Sequence, residues 1–428
     1  MTLHPDTIAV HAGAEHPDPA TKAQATPLHQ SVAFVFDDAQ YAADLFDLKT
    51  AGHIYGRISN PTQDVFETRI SALEGGVGTL ATSSGMSAIL LAILNLARAG
   101  DNFVALETLY GGSVTLFTHT LAELGIEARF VPPDRPDKLA ALVDDHTRLL
   151  FAETIANPAI TVPDLDAWGE AAHACDIPLV VDNTIATPIL CRPLDHGADL
   201  VVHSTTKYIG GHGTSVGGAI VDGGRFDWAA HAERFPTMIE PDTSYHGVVW
   251  TDAFGPAAYI TRARTVLMRN LGTTISPFTA WLQLASLETL PLRMERHSSN
   301  GLAIARHLAA HPAVSWVAYP GLPGTSDRAN ADKCFTGRGY SGLLSFGVAA
   351  GRAAAADFVD ALDLFADVTN IGDTKSLVTH SASTTHSQLS DAELRAAGVA
   401  PEAVRLSVGI EDVGDLVDDL DQALAHAG

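Results

Sequence analysis

Short apolar segments alternate with helical segments between residues 75 and 221, and this alternation is the feature that most constrains the fold. Helical segments such as SAILLAILNLARA and DLDAWGEAAHAC fill most of the gaps. Strands that alternate with helices in this way form βαβ units, whose strands lie parallel. The sequence therefore predicts an α/β domain built on a mostly parallel, seven-stranded sheet. Its predicted strands are GTLAT (78–82), NFVAL (102–106), EARFV (127–131), RLLFAE (148–153), PLVVD (178–182), DLVVH (199–203) and GGAIV (217–221).

The sequence before and after the sheet segment indicates an N-terminal arm and a second domain. A chain of 428 residues exceeds the length at which one hydrophobic core usually stops growing. Residues 1–60 show no persistent period and are interpreted as an arm that packs onto another surface, whereas residues 61–265 hold the sheet domain. Residues 266–428 predict a smaller C-terminal α+β domain with a loop around residues 370–390. Its predicted elements are the long helical segment PFTAWLQLASLETLPLRMERHSSNGLAIARHLAA, the strand GLLSFGVA, the helix AADFVDALDL and the final strand RLSVGIE.

Charge and cysteine content argue against several classes of function. Lys and Arg number 26 against 50 Asp and Glu, a formal net charge of −24, so the surface would repel nucleic acid and anionic membranes. Cys175, Cys191 and Cys334 lack a C-x-x-C spacing and are interpreted as buried thiols, without disulfides or a thiolate metal site.

The amino terminus and the apolar segments do not indicate export or membrane insertion. The first residues lack the basic and apolar regions of a secretory signal. The longest apolar stretch, at residues 88–97, is about half of the ~20 residues that a membrane span requires. A soluble, cytoplasmic protein is therefore expected.

Polar residues follow three of the predicted strands, at the edge of the sheet where ligands of open α/β sheets gather. The first strand leads into Ser84 and a helix, whose free N–H groups suit a phosphate, although Ser84 could equally be only an N-cap. PLVVD ends in Asp182, which would face the same crevice or merely cap a loop. DLVVH leads into Lys207, where partial desolvation would lower the pKa of the amine and make it a Schiff-base nucleophile.

The order of residues around Lys207 argues against both nucleotide-binding loops. A Walker loop places its lysine after the glycines, but here Lys207 precedes YIGGHGTSVGG. A Rossmann loop leads into a helix, whereas these glycines lead into the strand GGAIV, so an oxidoreductase is not indicated. Lys207, Asp182 and the serine turn instead meet the needs of pyridoxal phosphate. That cofactor requires a lysine for its aldehyde, an acid for its ring nitrogen and an anion site for its phosphate.

Seven ordered motifs extend this match over nearly the whole chain. With them the chain resembles the Cys/Met-metabolism pyridoxal-phosphate enzymes of fold type I, and within these the O-acetylhomoserine sulfhydrylases. The resemblance implies the fold-type-I transferase architecture and pyridoxal 5'-phosphate as the cofactor. The motifs are YGRISNPT (55–62), SSGMSAI (83–89), ETIANP (153–158), VVDNTIATP (180–188), HSTTKYIGGHGTSVGG (203–218), TKSLVTHSASTTH (374–386) and RLSVGIE (405–411).

The resemblance also implies which residues hold the cofactor. Lys207 would carry the cofactor and then move protons, Asp182 would pair with the ring nitrogen, and Tyr110 would stack on the ring. These three are the expected catalytic residues. Asn157 would contact the ring hydroxyl. The implied phosphate ligands are Ser84, Gly85, Met86, Ser204 and Thr206, joined by Tyr55 and Arg57 from a neighbouring subunit.

For the substrate, the resemblance implies that Arg405, at the start of the last strand, binds the α-carboxylate bidentately. Ser376, Asn157 and Tyr55 would assist it. Because Tyr55 would come from another subunit, the active site would require at least a dimer, and a homotetramer with shared sites is expected. A small amino acid and sulfide are the expected partners.

The reaction implied is γ-replacement on O-acetyl-L-homoserine, with sulfide or a small thiol, in methionine biosynthesis. Gly112 stands where methionine γ-lyases carry cysteine, and Gly213 where cystathionine γ-synthases usually have serine. Lys375 and Ser381 depart from the arginine and proline that the family pattern favours. Cystathionine γ-synthase, O-succinylhomoserine sulfhydrylase, a γ-lyase and a non-catalytic cofactor-binding protein therefore remain alternatives.

Histidines elsewhere in the chain are given structural roles. His307 and His311 have the spacing of a metal pair, but HLAAH lacks the glutamate of H-E-x-x-H. No metal is therefore expected. His203 and His212, near Lys207, are interpreted as packing or loop residues rather than catalysts.

Overall fold

The protein folds around two β-sheets, as seen in a computed structural model that describes residues 3–380, 382, 384 and 400–427. The larger sheet has seven strands, and each lies within one residue of its predicted bounds. The fold predicted from the sequence is therefore confirmed. The strands are β1 (Gly78–Thr82), β2 (Asn102–Leu106), β3 (Glu127–Val131), β4 (Thr147–Glu153), β5 (Leu179–Asp182), β6 (Leu200–His203) and β7 (Gly218–Asp222).

The strands of the larger sheet lie in the order β1-β7-β6-β5-β4-β2-β3. Strand β7 runs antiparallel to both of its neighbours, and the other pairs are parallel. The glycine-rich segment between β6 and β7 contains no helix that could carry the chain back across the sheet, so β7 returns beside β6 in the opposite direction. The sheet is thus mostly parallel, with its antiparallel pairs at the β1 edge.

The smaller sheet has five strands in the order β10-β11-β12-β9-β8. The strand at residues 343–348 matches the sequence prediction, whereas the last strand, at 403–407, begins two residues before the predicted segment 405–411 and ends four residues before its end. The other three strands were not predicted. One of these three strands, Leu377–His380, lies inside the segment predicted to be a loop. It was not predicted because four residues are too few to establish a hydrophobic period. The strands are β8 (Val314–Ala318), β9 (Leu343–Val348), β10 (Ala366–Asp367), β11 (Leu377–His380) and β12 (Ala403–Ser407).

Ten helices of seven residues or more lie in the described part of the chain. They are α1 (Pro5–His11), α2 (Ala39–Phe46), α3 (Pro61–Glu74), α4 (Gly85–Leu94), α5 (Leu165–His173), α6 (Pro277–Leu287), α7 (Leu290–Ala310), α8 (Ser326–Cys334), α9 (Arg352–Asp360) and α10 (Val413–His426). Shorter α-helical segments are Gly111–Thr115, Leu121–Glu123, Thr187–Leu190, Pro236–Ile239, Trp250–Phe254, Ala258–Arg262 and Arg269–Leu271.

The long helical segment predicted after residue 276 is two helices, α6 and α7, and not one. Pro291 lies in the first turn of α7, where its missing N–H and fixed φ are tolerated. Within a continuous helix the same residue would clash with the preceding turn. The proline therefore explains the break between the two helices.

Helices α3 and α4 cover the two faces of the larger sheet and bury separate cores. Helix α3 begins at the N-cap Asn60, whose side chain accepts from the N–H of Thr62, and ends at Gly75 with φ +82°. Alternate residues of β5 and β6 point into the two cores. The α3 side includes Phe66, Ile70, Val181 and Val201, and the α4 side includes Ile89, Ile93, Val180 and Val202.

Three further expectations concern the cysteines, the domains and membranes. Cys191 and Cys334 are buried, but the prediction of a buried thiol is wrong for Cys175, which is partly exposed just beyond the end of α5. The domain bounds at residues 60 and 265 stay a prediction. No helix among the described residues is long and apolar enough to span a membrane.

Candidate active site

A cavity of about 250 Å³ lies at the edge of the larger sheet where β4, β5 and β6 end. The smaller-sheet domain closes it through residues 369–371, between β10 and β11, and through Arg405 of β12. Most of the polar side chains at strand ends that the sequence singled out therefore share one space. The cavity is lined by Ser84, Gly85, Met86, Ile89, Tyr110, Glu153, Ile155, Asn157, Asp182, Thr184, Ile185, Ser204, Thr206, Lys207, Val216, Thr369, Asn370, Ile371 and Arg405.

One end of the cavity is formed by the first turn of α4. Ser84 is its N-cap, and its Oγ accepts from the N–H of Ser87 at 3.1 Å. The N–H groups of the first helical turn have no intrahelical acceptor and carry the positive end of the helix dipole. At Gly85 a Cβ would lie 2.5 Å from Cβ of Ser204, so only glycine permits the close approach of these two segments. This end is built to bind an anion.

Lys207 reaches the cavity from the turn that follows β6. Its Nζ donates to Oδ1 of Asn370, 2.6 Å away, in the smaller-sheet domain. Burial lowers the pKa of the Lys207 amine, and the nearby charge of Arg405 lowers it further. Both effects increase the neutral, nucleophilic fraction of the amine.

Two carboxyl groups lie side by side at the ends of β4 and β5, where Glu153 is in register with Asp182. The N–H of Thr184 donates to Oδ1 of Asp182 at 2.9 Å, and the Thr184 hydroxyl donates to the same oxygen. Oε1 of Glu153 accepts from the N–H of Tyr110 at 2.8 Å. Burial raises the pKa of Asp182. Burial and the neighbouring Asp182 raise the pKa of Glu153 well above its usual range, so Glu153 keeps its proton more readily.

Arg405 extends into the cavity from the middle of β12, rather than from the start of the strand as predicted. Its Nη1 donates to Oδ1 of Asn157 at 3.0 Å, and its Nη2 to the carbonyl of Asn370 at 3.2 Å. Its Nε is buried and makes no hydrogen bond within the described part of the chain. A planar guanidinium with donors to spare can bind a carboxylate.

Three predicted site residues are not among the described residues that line the cavity. Ser376 is buried, donating to Oε2 of Glu411 at 3.0 Å and accepting from the N–H of Gly409 at 2.9 Å. Tyr55 is exposed, and Arg57 lies over its ring and donates to the carbonyl of Arg269. The roles of Ser376, Tyr55 and Arg57 therefore stay predictions, and Ser381 lies outside the described residues.

Among the lining residues without a predicted role, Glu153, Thr184 and Asn370 make hydrogen bonds at the site. Glu153 ends a predicted strand just as Asp182 does, so the same end-of-strand argument could have found it. Thr184 follows Asp182 by two residues, the spacing of an Asx turn. Asn370 lies in an irregular segment 163 positions from its partner Lys207, and no local pattern indicates that contact.

The paired histidines of α7 make a local contact. Nε2 of His307 lies 2.5 Å from Oδ1 of Asp421, and Nε2 of His311 lies 3.9 Å from the same oxygen. Among the described residues, no group of three or more His, Cys, Asp or Glu side chains is placed to hold a metal ion.

The residues of the cavity fit pyridoxal phosphate at each of its reactive points. Lys207 supplies a partly desolvated amine, and Asp182 supplies a carboxyl group for the ring nitrogen. The first turn of α4, together with Ser204 and Thr206, supplies donors for a phosphate. The lack of a Cβ at Gly85 and the Nε of Arg405, which has no hydrogen-bond partner in the described part of the chain, are compatible with an anion and a carboxylate in this cavity.

Known proteins similar to this chain match it from end to end. It is 47% identical over 425 residues to a homocysteine synthase of Schizosaccharomyces pombe, covering 99% of both chains. It is 48% identical to O-acetyl-L-homoserine sulfhydrylase 1 of Thermus thermophilus, covering 98% of this chain and 99% of that one.

A solved structure supports the same relationship. It is of a Campylobacter jejuni protein described as an O-acetylhomoserine (thiol)-lyase and carrying an N'-pyridoxyl-lysine-5'-monophosphate. The Campylobacter jejuni structure superposes on this chain with a TM-score of 0.94 at 38% sequence identity. The match covers 99% of this chain and 100% of the Campylobacter jejuni chain. The family model for the Cys/Met metabolism PLP-dependent enzymes matches residues 6–425. This chain belongs to that family of enzymes, and pyridoxal phosphate (PLP) is its cofactor.

Proposed function

We propose that the protein replaces the γ-substituent of O-acetyl-L-homoserine with sulfide or a small thiol, giving L-homocysteine and acetate when sulfide is the acceptor. The observation that carries this proposal is the convergence of Lys207, Asp182 and Arg405 on one cavity. The names of the similar proteins support the substrate. The role is therefore that of an O-acetylhomoserine aminocarboxypropyltransferase in methionine biosynthesis.

Lys207 is the proposed base. When bound, the cofactor supplies an electron sink for charge that develops on the substrate's α-carbon. The lowered pKa of Lys207 increases the fraction of neutral Nζ, which can accept the α-proton and return a proton later in the reaction. Asn370 orients Nζ by accepting its hydrogen bond at 2.6 Å.

Arg405 and Asp182 are the proposed partners of the substrate's α-carboxylate and of the cofactor's ring nitrogen. The guanidinium of Arg405 offers paired donors to the substrate's α-carboxylate, with Asn157 fixing its orientation through Nη1. Asp182 offers a carboxylate, oriented by Thr184, for the protonated ring nitrogen. Tyr110 lies at the cavity mouth as the proposed stacking residue.

Two glycines favour the proposed reaction over its rivals within the family. A Cβ at Gly112 would overlap the ring of Tyr110, so the cysteine of methionine γ-lyases would displace that ring. Gly213 has φ +63°, and a Cβ there would lie 2.6 Å from Oδ2 of Asp373, which disfavours the serine of cystathionine γ-synthases. Both positions support a sulfhydrylase.

The test is an assay with separate substrates. The purified protein is incubated with O-acetylhomoserine and sulfide, with O-succinylhomoserine and sulfide, and with methionine alone. Homocysteine and acetate from the first mixture are expected as the dominant products. α-Ketobutyrate as the main product would identify a γ-lyase instead. A preference for the succinyl ester would identify an O-succinylhomoserine sulfhydrylase. Lys207→Ala is the inactive control, in which treatment with borohydride should no longer fix the cofactor covalently to the protein.

We further propose that the protein acts in the cytoplasm as a homotetramer whose active sites are shared between subunits. Tyr55 and Arg57 are exposed on this chain instead of lining its own cavity. Val32 and Val35, on the same arm, are 63% and 98% exposed and give the arm apolar surface that a partner can cover. A neighbouring subunit would provide that surface.

A further inference from the structure

A row of buried polar side chains crosses the larger sheet directly behind the cavity. Asp182 of β5 lies in register between Glu153 of β4 and Val202 of β6. Successive residues of a strand point to opposite faces, so the next residue along each strand faces away from Asp182. The residues of this rear row are Thr154, Asn183 and His203, and each is fully buried.

Glu74, the last residue of α3, joins the rear row from behind. Its Oε1 accepts from Nδ2 of Asn183 at 2.8 Å and lies 2.7 Å from Nε2 of His203. Oγ1 of Thr154 donates to Oδ1 of Asn183 at 2.8 Å. These contacts connect helix α3 to the ends of the three strands that present the cofactor-facing side chains.

The buried carboxyl group of Glu74 has one side chain beside it that can carry a positive charge. Its side chain is fully buried, and Oε2 makes no hydrogen bond to any described residue. A buried carboxylate is strongly destabilised unless it is paired with a cation. His203 is at ion-pair distance. The thiol of Cys191, whose carbonyl also contacts Asn183, stays neutral because burial raises its pKa.

We propose that Glu74 and His203 form a buried ion pair that positions Asp182 and keeps it ionised from the face of the sheet opposite the cofactor. The inference rests on the proposed role of Asp182 as partner of the ring nitrogen. In such a pair the positive charge of His203 lies one layer of backbone away from Asp182. Burial raises the pKa of Asp182, whereas the Thr184 hydrogen bonds and the charge of His203 lower it. Glu74 and His203 are positioning residues, since neither lines the cavity.

The other charged groups around Asp182 lie on the cavity side. Burial and the neighbouring Asp182 raise the pKa of Glu153, which disfavours a negative charge there. Lys207 and Arg405 face the cavity and contact Asn370 rather than the rear row. A substitution at Glu74 therefore changes the rear charge while it leaves the cavity side chains in place.

The test measures how tightly the cofactor binds as a function of pH. Glu74→Gln keeps the size of the side chain but removes the negative partner of His203 in the proposed ion pair. Asp182 then takes up its proton at higher pH. We call the loss of cofactor affinity at low pH the acid limb of cofactor binding. In Glu74→Gln its midpoint should lie about one pH unit higher than in the wild type. Equilibrium dialysis and the visible absorption of the holoenzyme measure it. Below that limb the dissociation constant should rise about tenfold.

Two further variants separate a positioning role from a merely structural one. His203→Gln should shift the acid limb in the same direction, and the double variant should shift it no further, because the two residues act as one unit. The matched control is Glu67→Gln, another buried carboxylate of α3, which pairs with Arg264 instead. It should leave the acid limb unchanged. Identical limbs for the wild type, Glu74→Gln and Glu67→Gln would overturn the proposal.

The protonation of His203 gives a second measurement that requires no folded Glu74 variant. Its ring-nitrogen chemical shifts, assigned in the wild-type holoenzyme by their loss in His203→Gln, should be those of the cation near neutral pH. Shifts of a neutral ring would overturn the ion pair. Asp182→Asn tests the underlying assignment separately: if it leaves cofactor binding unchanged, the role of Asp182 fails rather than the ion pair.

Discussion

At the scale of single residues, Arg405 is the side chain best placed to recognise the substrate's carboxylate. Arg405→Lys keeps the charge but loses the planar fork, and hydrogen bonds to charged groups contribute about 1.5–3 kcal/mol each. We expect KM for the amino-acid substrate to rise about 10- to 100-fold, with a smaller change in kcat. Steady-state kinetics measure both constants.

The matched control for this change is Arg328→Lys. Arg328 lies on helix α8, and its Nε is 2.7 Å from Asp332. Exposed pairs of this kind contribute little, so the substitution should alter neither constant. An unchanged KM in Arg405→Lys would remove Arg405 from the substrate site.

Asp222, at the end of β7, makes the stability of the fold depend on pH. Burial raises the pKa of this carboxyl to about 7, although the N–H groups of Gly224 and Ile260 donate to it. Because the folded pKa exceeds the unfolded one, the protonated carboxyl's contribution is complete below about pH 4 and is lost as pH rises through about 7. The loss is at most about 4 kcal/mol.

The measurement is urea unfolding of the wild type and Asp222→Asn across this pH range. The variant should lack the decline that the carboxyl causes, so the difference between their free energies of unfolding should change with pH. If the two curves run parallel, Asp222 titrates normally. The amide loses one acceptor, which shifts its curve uniformly but does not change its slope.

Residues differ in how far the sequence can predict their roles. Lys207 and Asp182 were found because a strand ended beside them, and Glu153 satisfies the same criterion. Asn370 could not be found in this way, since its contact with Lys207 depends on how the smaller sheet docks onto the larger one. The rear histidine His203 was interpreted as packing, because nothing local indicates that Glu74 lies behind it.

At the scale of elements, the parallel strands were the easiest part to predict. Their apolar runs are buried on both faces and end at polar residues, so their bounds were found within one residue. Strands β8, β10 and β11 were not predicted because they are short and partly exposed, or are paired only through distant partners. The direction of β7 also depends on tertiary pairing, which the strand's own residues do not encode.

The first turn of α4 provides a prediction about one element. Gly85→Ala would place a Cβ 2.5 Å from Cβ of Ser204, so the turn and the β6–Lys207 segment must move apart. Because both segments supply proposed phosphate ligands, we expect cofactor affinity to fall at least about tenfold, as for loss of one charge-assisted hydrogen bond. Equilibrium dialysis measures the dissociation constant.

Gly111→Ala is the control for this substitution. Gly111 also begins a helical segment, but a Cβ there would meet nothing within 4 Å. The affinity of the Gly111→Ala variant for the cofactor should stay close to that of the wild type. Equal losses in both variants would indicate a general effect of alanine at helix starts rather than the contact with Ser204.

At the scale of the whole molecule, both sheets contribute to one site. The larger sheet presents Lys207 and Asp182, and the smaller one presents Asn370 and Arg405. The hydrogen bonds of Lys207 to Asn370 and of Arg405 to Asn157 cross between the two. The site therefore forms only when the two sheets are docked, and the proposed assembly adds Tyr55 and Arg57 from another subunit.

Shared sites make a prediction about mixtures of inactive variants. Lys207→Ala removes the proposed base, and Arg57→Ala removes a proposed phosphate ligand that would act in the neighbouring subunit. A hybrid dimer of the two variants has one site with both defects and one with neither. Unfolding and refolding them together in equal amounts should therefore restore about a quarter of the wild-type activity, because half of the dimers are hybrids. Each variant refolded alone is the control. If the mixture stays as inactive as its components, while size-exclusion chromatography shows that hybrids form, Arg57 serves its own subunit's site or none.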